Sequence, residues 1–367
     1  MAMSTAGRIV GLQGRLDEKG FDALLVSHPQ NRRYLSGFTG SAGYLLVTGE
    51  EAVIATDFRY FEQATQQASG FRLHPITQSP AETWLPGLLA GLGGKKVGIE
   101  AEHLPYAAYK RFAKAIADLP QADRPRLAAT TGLVEGLRAV KEPGELAAIQ
   151  AAVDLGDAAF AHLSERLEPG WSETEAAWEI ERYVREHGGE AVSFETIVAG
   201  GAWGALPHAF LRDRKLQAGE AVVIDMGVRR DGYCSDLTRT LFLGEPDDQF
   251  RRVYDIGLGA QLAALELIEA GMTGEQAHFL AHRVIAEAGY GEEFGHGLGH
   301  GVGLEVHEAP RLGRGSSDVL ADGMVMTIEP GIYIKGWGGV RIEDLTVMEN
   351  GRLRVLTHAP KTEQAKA

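Results

Sequence analysis

Apolar positions follow two different patterns along this chain. From Ala6 to about Thr131, short apolar runs alternate with amphipathic stretches. Ala6–Lys19 reads as an amphipathic helix, followed by the strand Ala23–Val26. Tyr44–Thr48 and Ala52–Ala55 read as strands joined by a turn at Gly49-Glu50. A helix near Tyr60–Gln67, a strand near Phe71–Ile76, a helix near Ala81–Leu92, a strand at Val97–Ile99 and a helix at Pro105–Ala117 complete an α/β set. Asp123-Arg124-Pro125 and Ala128–Gly132 read as the exit from this domain, residues 1–132.

Beyond Lys141-Glu142-Pro143-Gly144 the apolar spacing becomes helical over long stretches. Helices are predicted at Glu145–Leu167 and Glu173–His187, the second opened by a capping box between Ser172 and Glu175. Strands and glycine-rich turns follow. A second helical pair is predicted at Asp247–Ala270 and Gly274–Ala288, again followed by strands. A helix pair followed by strands, twice over, predicts a duplicated α+β unit across residues 133–361. Thr362–Ala367 reads as a disordered tail.

Composition narrows the picture. At 367 residues the chain exceeds the usual size of one hydrophobic core. Net charge is −14 with no basic run to follow a phosphate backbone, which argues against nucleic acid. Cys234 is the sole cysteine, so an internal disulfide and a Cys-rich zinc site are excluded. No stretch approaches ~20 uninterrupted apolar residues, and Met1–Val10 lacks a basic-then-apolar leader. A cytoplasmic protein with no membrane partner is expected.

The chemistry gathers in the second half. Ala221–Val228 is an apolar strand interrupted by Asp225, and Tyr233–Thr240 returns with Asp236. An Arg230-Asp231 loop would place the two aspartates directly opposite; an Asp231-Gly232 turn would make them diagonal neighbours. Directly opposed Cβ atoms lie about 4.5–5.5 Å apart, where like charges destabilise a sheet. A proton, an arginine or a cation must offset the repulsion. Gly295–Glu308 holds three histidines (His296, His300, His307) and five glycines in fourteen residues. It cannot be a helix, so a zincin His pair is disfavoured, and its glycines do not match a dinucleotide-binding loop. Met324–Gly331 is an apolar strand ending in Glu329, and Val340–Val347 reads as another strand, carrying an inward Glu343. Four carboxylates exceed what one arginine, Arg341, can neutralise. With an imidazole they make an oxygen-rich set suited to two divalent ions, Mn²⁺ first, with Co²⁺ or Zn²⁺ as alternatives.

The segments Asp225…Asp236, His296–Glu308, Glu329-Pro330-Gly331-Ile332-Tyr333 and Val340–Asp344 resemble the Xaa-Pro peptidases, aminopeptidase P and prolidase. So do Ser193–Gly201 with His208, and, in the first half, Arg33–Ser41 and Thr56–Tyr60. The resemblance covers nearly the whole chain. It implies a creatinase-like N-terminal α/β domain and an α+β pita-bread catalytic domain. It also implies a peptide substrate with proline at its second position, and a homodimer. By the resemblance, Asp225, Asp236, His300, Glu329 and Glu343 would be the metal ligands, with Asp236 and Glu343 bridging. Glu329 would be the general acid/base, and a water activated between the metals the nucleophile. His296 and His307 would orient substrate and stabilise the tetrahedral intermediate. His208 would form the proline pocket, Arg311 would meet the substrate carboxylate, Tyr333 would line the site, and Arg341 would hold the ligand network.

Methionine aminopeptidase shares the five ligands but usually lacks the N-terminal domain; creatinase shares both domains but not the ligands. Non-peptidase binding relatives of the fold typically lose ligands. The runs Gly37–Ser41 and Arg59-Tyr60 are closer to aminopeptidase P, which is therefore the expectation, with a dipeptide-restricted prolidase as the alternative. Cys234, between the two site strands, reads as a small buried residue.

Overall fold

A computed structural model describes residues 5–77 and 80–361. The tail expected at Thr362–Ala367 lies outside them. The chain divides into two compact units between Arg138 and Ala139.

The first unit contains α1 (Thr5–Lys19), β1 (Ala23–Val26), α2 (Pro29–Ser36), β2 (Tyr44–Thr48), β3 (Ala52–Thr56), α3 (Phe61–Gln67), β4 (Arg72–Pro75), α4 (Leu85–Leu88), β5 (Lys96–Glu100), α5 (Tyr106–Ala117), β6 (Arg126–Thr130) and α6 (Glu135–Arg138). One six-stranded sheet runs β4-β3-β2-β1-β5-β6. β1, β5 and β6 are parallel to one another, whereas β2 lies antiparallel to β1. β1 is buried along its whole length, as its unbroken Ala-Leu-Leu-Val requires.

Three expectations change here. The helix predicted at Ala81–Leu92 is reduced to a 3₁₀ turn at Ala81–Thr83 and a single turn at Leu85–Leu88. Pro86 suits only the start of a helix, and Gly91 takes a left-handed φ of 82° that ends the segment. α2 was not expected from its polar Asn-Arg-Arg sequence; Pro29 opens it and Gly37, at φ 77°, closes it. The exit expected at Ala128–Gly132 overlaps an edge strand instead: Arg126–Thr130 pairs in full register with β5 as β6.

The second unit opens with α7 (Pro143–Ser164) and α8 (Glu173–Glu186), the latter started by the Ser172/Glu175 capping box. β7 (Ala191–Val192), β8 (Ile197–Gly200), β9 (Ala221–Met226), β10 (Val228–Arg230), β11 (Tyr233–Cys234) and β12 (Leu237–Phe242) follow. Then come α9 (Asp248–Leu267), α10 (Gly274–Glu287), β13 (Gly299–Gly301), β14 (Glu308–Leu312), β15 (Val325–Ile328), β16 (Gly331–Ile334), β17 (Gly338–Arg341), β18 (Asp344–Glu349) and β19 (Arg352–Val355).

Each helix pair builds its own core over its own strands. Phe160 and Leu163 of α7 and Ile180 of α8 pack with Val222 and Ile224 of β9. Phe250 and Val253 of α9 and Ile285 of α10 pack with Met326 and Ile328 of β15. Burying each such side chain stabilises the fold by about 1.5–3 kcal/mol. The duplicated helix-pair and strand arrangement is therefore present. Among the described residues no helix is long and apolar enough to cross a membrane.

Candidate metal centre

β9 lies between β8 and β12, so Asp225 is carried into the middle of a sheet. Arg230 pairs with Tyr233, leaving Asp231-Gly232 as the two-residue turn, with φ of 50° and 76°. In this register Asp225 faces Thr238, and Asp236 falls opposite Gly227. The aspartates are thus diagonal neighbours on one face, the second of the two hairpin geometries. Gly227 is required: a Cβ there would overlap Ser193 Oγ and the Ser235 carbonyl.

The glycine-rich segment works by close backbone approach. A Cβ on Gly299 would overlap the Thr327 carbonyl, and one on Gly301 the Ala309 carbonyl. Between them sits His300, its backbone N donating to Thr327 Oγ1 at 3.0 Å. His300 Nδ1 meets the Gly301 carbonyl at 3.1 Å, which turns Nε2 toward Asp236 Oδ2 (3.6 Å) and Glu329 Oε1 (3.4 Å). The 3.6 Å approach to Asp236 is longer than a hydrogen bond and suits two donors on a common ion.

Glu329 follows β15, anchored by its backbone N to the Leu298 carbonyl, and Thr327 Oγ1 donates to its Oε1 at 3.0 Å. Glu343 was expected inside a single strand, Val340–Val347. Instead the strand breaks at Ile342-Glu343, between β17 and β18. The break lets the Glu343 backbone N donate to the Thr238 carbonyl and its Oε2 accept from Thr238 Oγ1 at 2.7 Å. Arg341, buried, donates to Asp225 Oδ2 (2.5 Å), Thr238 Oγ1 (3.0 Å) and Tyr333 Oη (2.7 Å).

Burial, and then the neighbouring carboxylates, pushes Asp236 and Glu343 well above the usual carboxylate range. Burial likewise pushes Glu329 up to about 7. One guanidinium cannot compensate four carboxylates, and a buried unpaired charge costs several kcal/mol. Asp225 Oδ1 is buried without a hydrogen-bond partner. Asp236, His300 and Glu343 bring donor atoms within 4.8 Å of one another. The residues fit divalent cations.

These groups line a cavity of about 870 Å³, together with His208, His296, His307, Arg311 and Arg341, and with Phe194, Ile197, Pro207 and Leu312 as apolar wall. His208, His307 and Arg311 are exposed. His307 stands edge-on to His300 at 4.2 Å. His296 contacts the Gly297 carbonyl through Nδ1 (2.7 Å) and Tyr333 Oη through Nε2 (2.9 Å), and burial pushes its pKa down to about 4. Tyr333, expected on the lining, stands behind it and reaches the cavity through His296 and Arg341. Cys234 is buried, and burial pushes its thiol up to about 12, so it is no nucleophile.

Three participants were not anticipated. Thr238 hydrogen-bonds the Glu343 carboxylate and Thr327 that of Glu329; each threonine lies two residues from a site carboxylate, a spacing present in the sequence. The third is Lys141, whose Nζ pairs with Glu308 in the cavity lining at 2.8 Å, with both side chains nearly fully buried. Nothing local in the sequence marks that pair.

Residues 8–140 match the creatinase/prolidase N-terminal domain, and residues 147–350 match metallopeptidase family M24. A solved Xaa-Pro dipeptidase from Bacillus anthracis is 40% identical, with a TM-score of 0.93, covering 98% of this chain and 99% of that one. An X-Pro aminopeptidase from Thermotoga maritima MSB8 is 34% identical, with a TM-score of 0.86, covering 95% and 99%. The Xaa-Pro dipeptidase of Pyrococcus horikoshii is 36% identical over 93% of this chain and 94% of its own length. The two-domain creatinase-like and pita-bread architecture is that of these relatives, and the chain belongs to metallopeptidase family M24.

Proposed function

We propose that this chain is an Xaa-Pro dipeptidase, hydrolysing the bond between an N-terminal residue and a C-terminal proline. The observation that carries the reading is a cluster of four carboxylates with His300, two of them (Asp236 and Glu343) buried and the rest half-buried, which one arginine leaves uncompensated. Substrate class comes from the relatives, of which those from B. anthracis and P. horikoshii bear the name Xaa-Pro dipeptidase. They favour the dipeptidase over the aminopeptidase P reading that the N-terminal motifs suggested. The T. maritima relative, named an X-Pro aminopeptidase, keeps the second reading in play.

Asp225 would hold one metal, His300 and Glu329 the other, with Asp236 and Glu343 shared. Two divalent ions, Mn²⁺ ahead of Co²⁺ or Zn²⁺ for so oxygen-rich a set, supply Lewis acidity and lower the pKa of water. Glu329 accepts the proton of the attacking water as its oxygen bonds to the scissile carbonyl carbon. It returns that proton to the proline nitrogen as the C–N bond breaks. His296 and His307 orient the substrate and stabilise charge on the carbonyl oxygen. His208 flanks the proline ring, and Arg311 meets the free carboxylate of a dipeptide. Arg341 holds Asp225 in place.

The test compares hydrolysis of an Xaa-Pro dipeptide with that of an Xaa-Pro-Yaa tripeptide in Mn²⁺ buffer, with EDTA-treated protein as control. EDTA-sensitive cleavage of the dipeptide alone is the expected result. Cleavage of both makes the chain an aminopeptidase P. Cleavage of neither, with any divalent metal, overturns the peptidase reading.

A further inference from the structure

A second cluster of metal-ligating side chains lies inside the first unit. β1, β5 and β6 run parallel and side by side, so their carboxyl ends open on one edge of the sheet. His28 follows β1, His103 follows β5, and Glu135 follows β6 at the start of α6. In open α/β sheets, the crevice outside the carboxyl ends of the strands is where ligands bind, at the point where the strand order reverses. β1 is that point here, with β2, β3 and β4 laid down on one side of it and β5 and β6 on the other.

The three side chains converge. His28 and His103 stack with ring centroids 3.6 Å apart and planes 23° from parallel. His103 Nε2 lies 3.7 Å from Glu135 Oε1. That is too long for a hydrogen bond, but it is close to the roughly 3.4 Å between two donors bonded at ~2.1 Å to a tetrahedral ion. One ligand atom from each residue lies within 4.8 Å of the other two. His28 is buried, while His103 and Glu135 are partly exposed and border a cavity of about 10 Å³, close to the room one water or ion needs.

A second layer holds the donors in place. The Glu100 carboxylate accepts from the His28 backbone N (2.7 Å) and from Asn31 Nδ2 (2.8 Å). The same Asn31 Nδ2 donates to Glu135 Oε1 (2.5 Å), and Arg138 fixes the Asn31 oxygen (2.8 Å). Glu100 and Asn31 thus tie the backbone of one histidine to the carboxylate of the third residue. Ligands oriented by such outer partners are the usual construction of a metal site.

We propose that His28, His103 and Glu135 bind one divalent transition-metal ion, zinc by its ligand types, at the carboxyl edge of the N-terminal sheet. Two imidazoles and one carboxylate match zinc coordination with a fourth position left for water. The softer donor set separates this site from the oxygen-rich centre of the second unit.

The test is zinc content. Full-length protein is stripped with chelator, reconstituted with Zn²⁺, freed of excess metal and assayed by atomic emission. About three ions per chain are expected, two at the carboxylate centre and one here. His103→Asn and Glu135→Gln should each lower the content by about one ion while leaving dipeptide hydrolysis in Mn²⁺ unchanged. Unaltered zinc content in a folded His103→Asn or Glu135→Gln protein overturns the site. Should neither variant fold, anomalous diffraction at the zinc edge from crystals of the zinc-loaded wild type decides: a peak between His28, His103 and Glu135 supports the site, and none there overturns it.

Discussion

Thr238 donates its hydroxyl hydrogen to Glu343 at 2.7 Å while its oxygen accepts from Arg341 Nε at 3.0 Å, so one hydroxyl couples the Glu343 carboxylate to the arginine that holds Asp225. Thr238→Val keeps the side-chain shape and removes both bonds. Loss of such an outer partner costs about 10–100-fold in metal affinity or activity. Thr238→Val should therefore show weaker Mn²⁺ binding by titration and a matching fall in kcat/KM at limiting metal. Thr238→Ser, which retains the hydroxyl, should stay near wild type.

Metal removal should destabilise the protein. Without cations, Asp236 and Glu343 are left buried beside Asp225 and Glu329 with only Arg341 opposed. A ligand at 100 times its Kd stabilises by about 2.7 kcal/mol, and the stripped protein forgoes that. Thermal unfolding followed by fluorescence should show a lower Tm after EDTA treatment, restored by Mn²⁺. An unchanged Tm would contradict a metal centre at these residues.

Arg311 is exposed on the cavity lining, with its backbone N held by Asp318. If its guanidinium meets the carboxylate of a dipeptide, Arg311→Gln removes a charged hydrogen bond worth about 1.5–3 kcal/mol. KM for Xaa-Pro should rise about 10–100-fold with a smaller change in kcat. Activity on a C-terminally amidated Xaa-Pro should be unaffected. Equal effects on both substrates would remove Arg311 from carboxylate recognition.

Glu179 on α8 predicts a pH dependence of stability. Its hydrogen bond from Arg182, and then that from His162, hold its carboxyl at about 2, against 4.5 for a free glutamate. A depressed folded-state pKa contributes stability that is present in full above pH 4.5 and is lost as the pH falls toward 2. Tm measured across that window should fall less steeply in Glu179→Gln than in wild type, and the two slopes should agree above it.

Much of the fold was legible because periodicity is local. The buried strand Ala23–Val26, the capped helix at Glu173 and the apolar strand around Asp225 each carry their pattern within a few residues. The chemistry was legible for a related reason. Carboxylates at Asp225, Asp236, Glu329 and Glu343 stand out because charge inside apolar strands is costly, and glycines around His300 stand out because no regular element needs so many.

What only the tertiary structure decided was adjacency between distant segments. Both hairpin registers fitted the sequence, and the turn conformation at Asp231-Gly232 chose between them. The strand break before Asp344 depends on Glu343 reaching Thr238, 105 residues earlier, which no alternation pattern encodes. The pairing of Lys141 with Glu308 and the meeting of His28, His103 and Glu135 have the same origin. Side-chain patterns specify which face of an element is buried; packing of those faces then determines which polar groups share a site, and that depends on the whole chain.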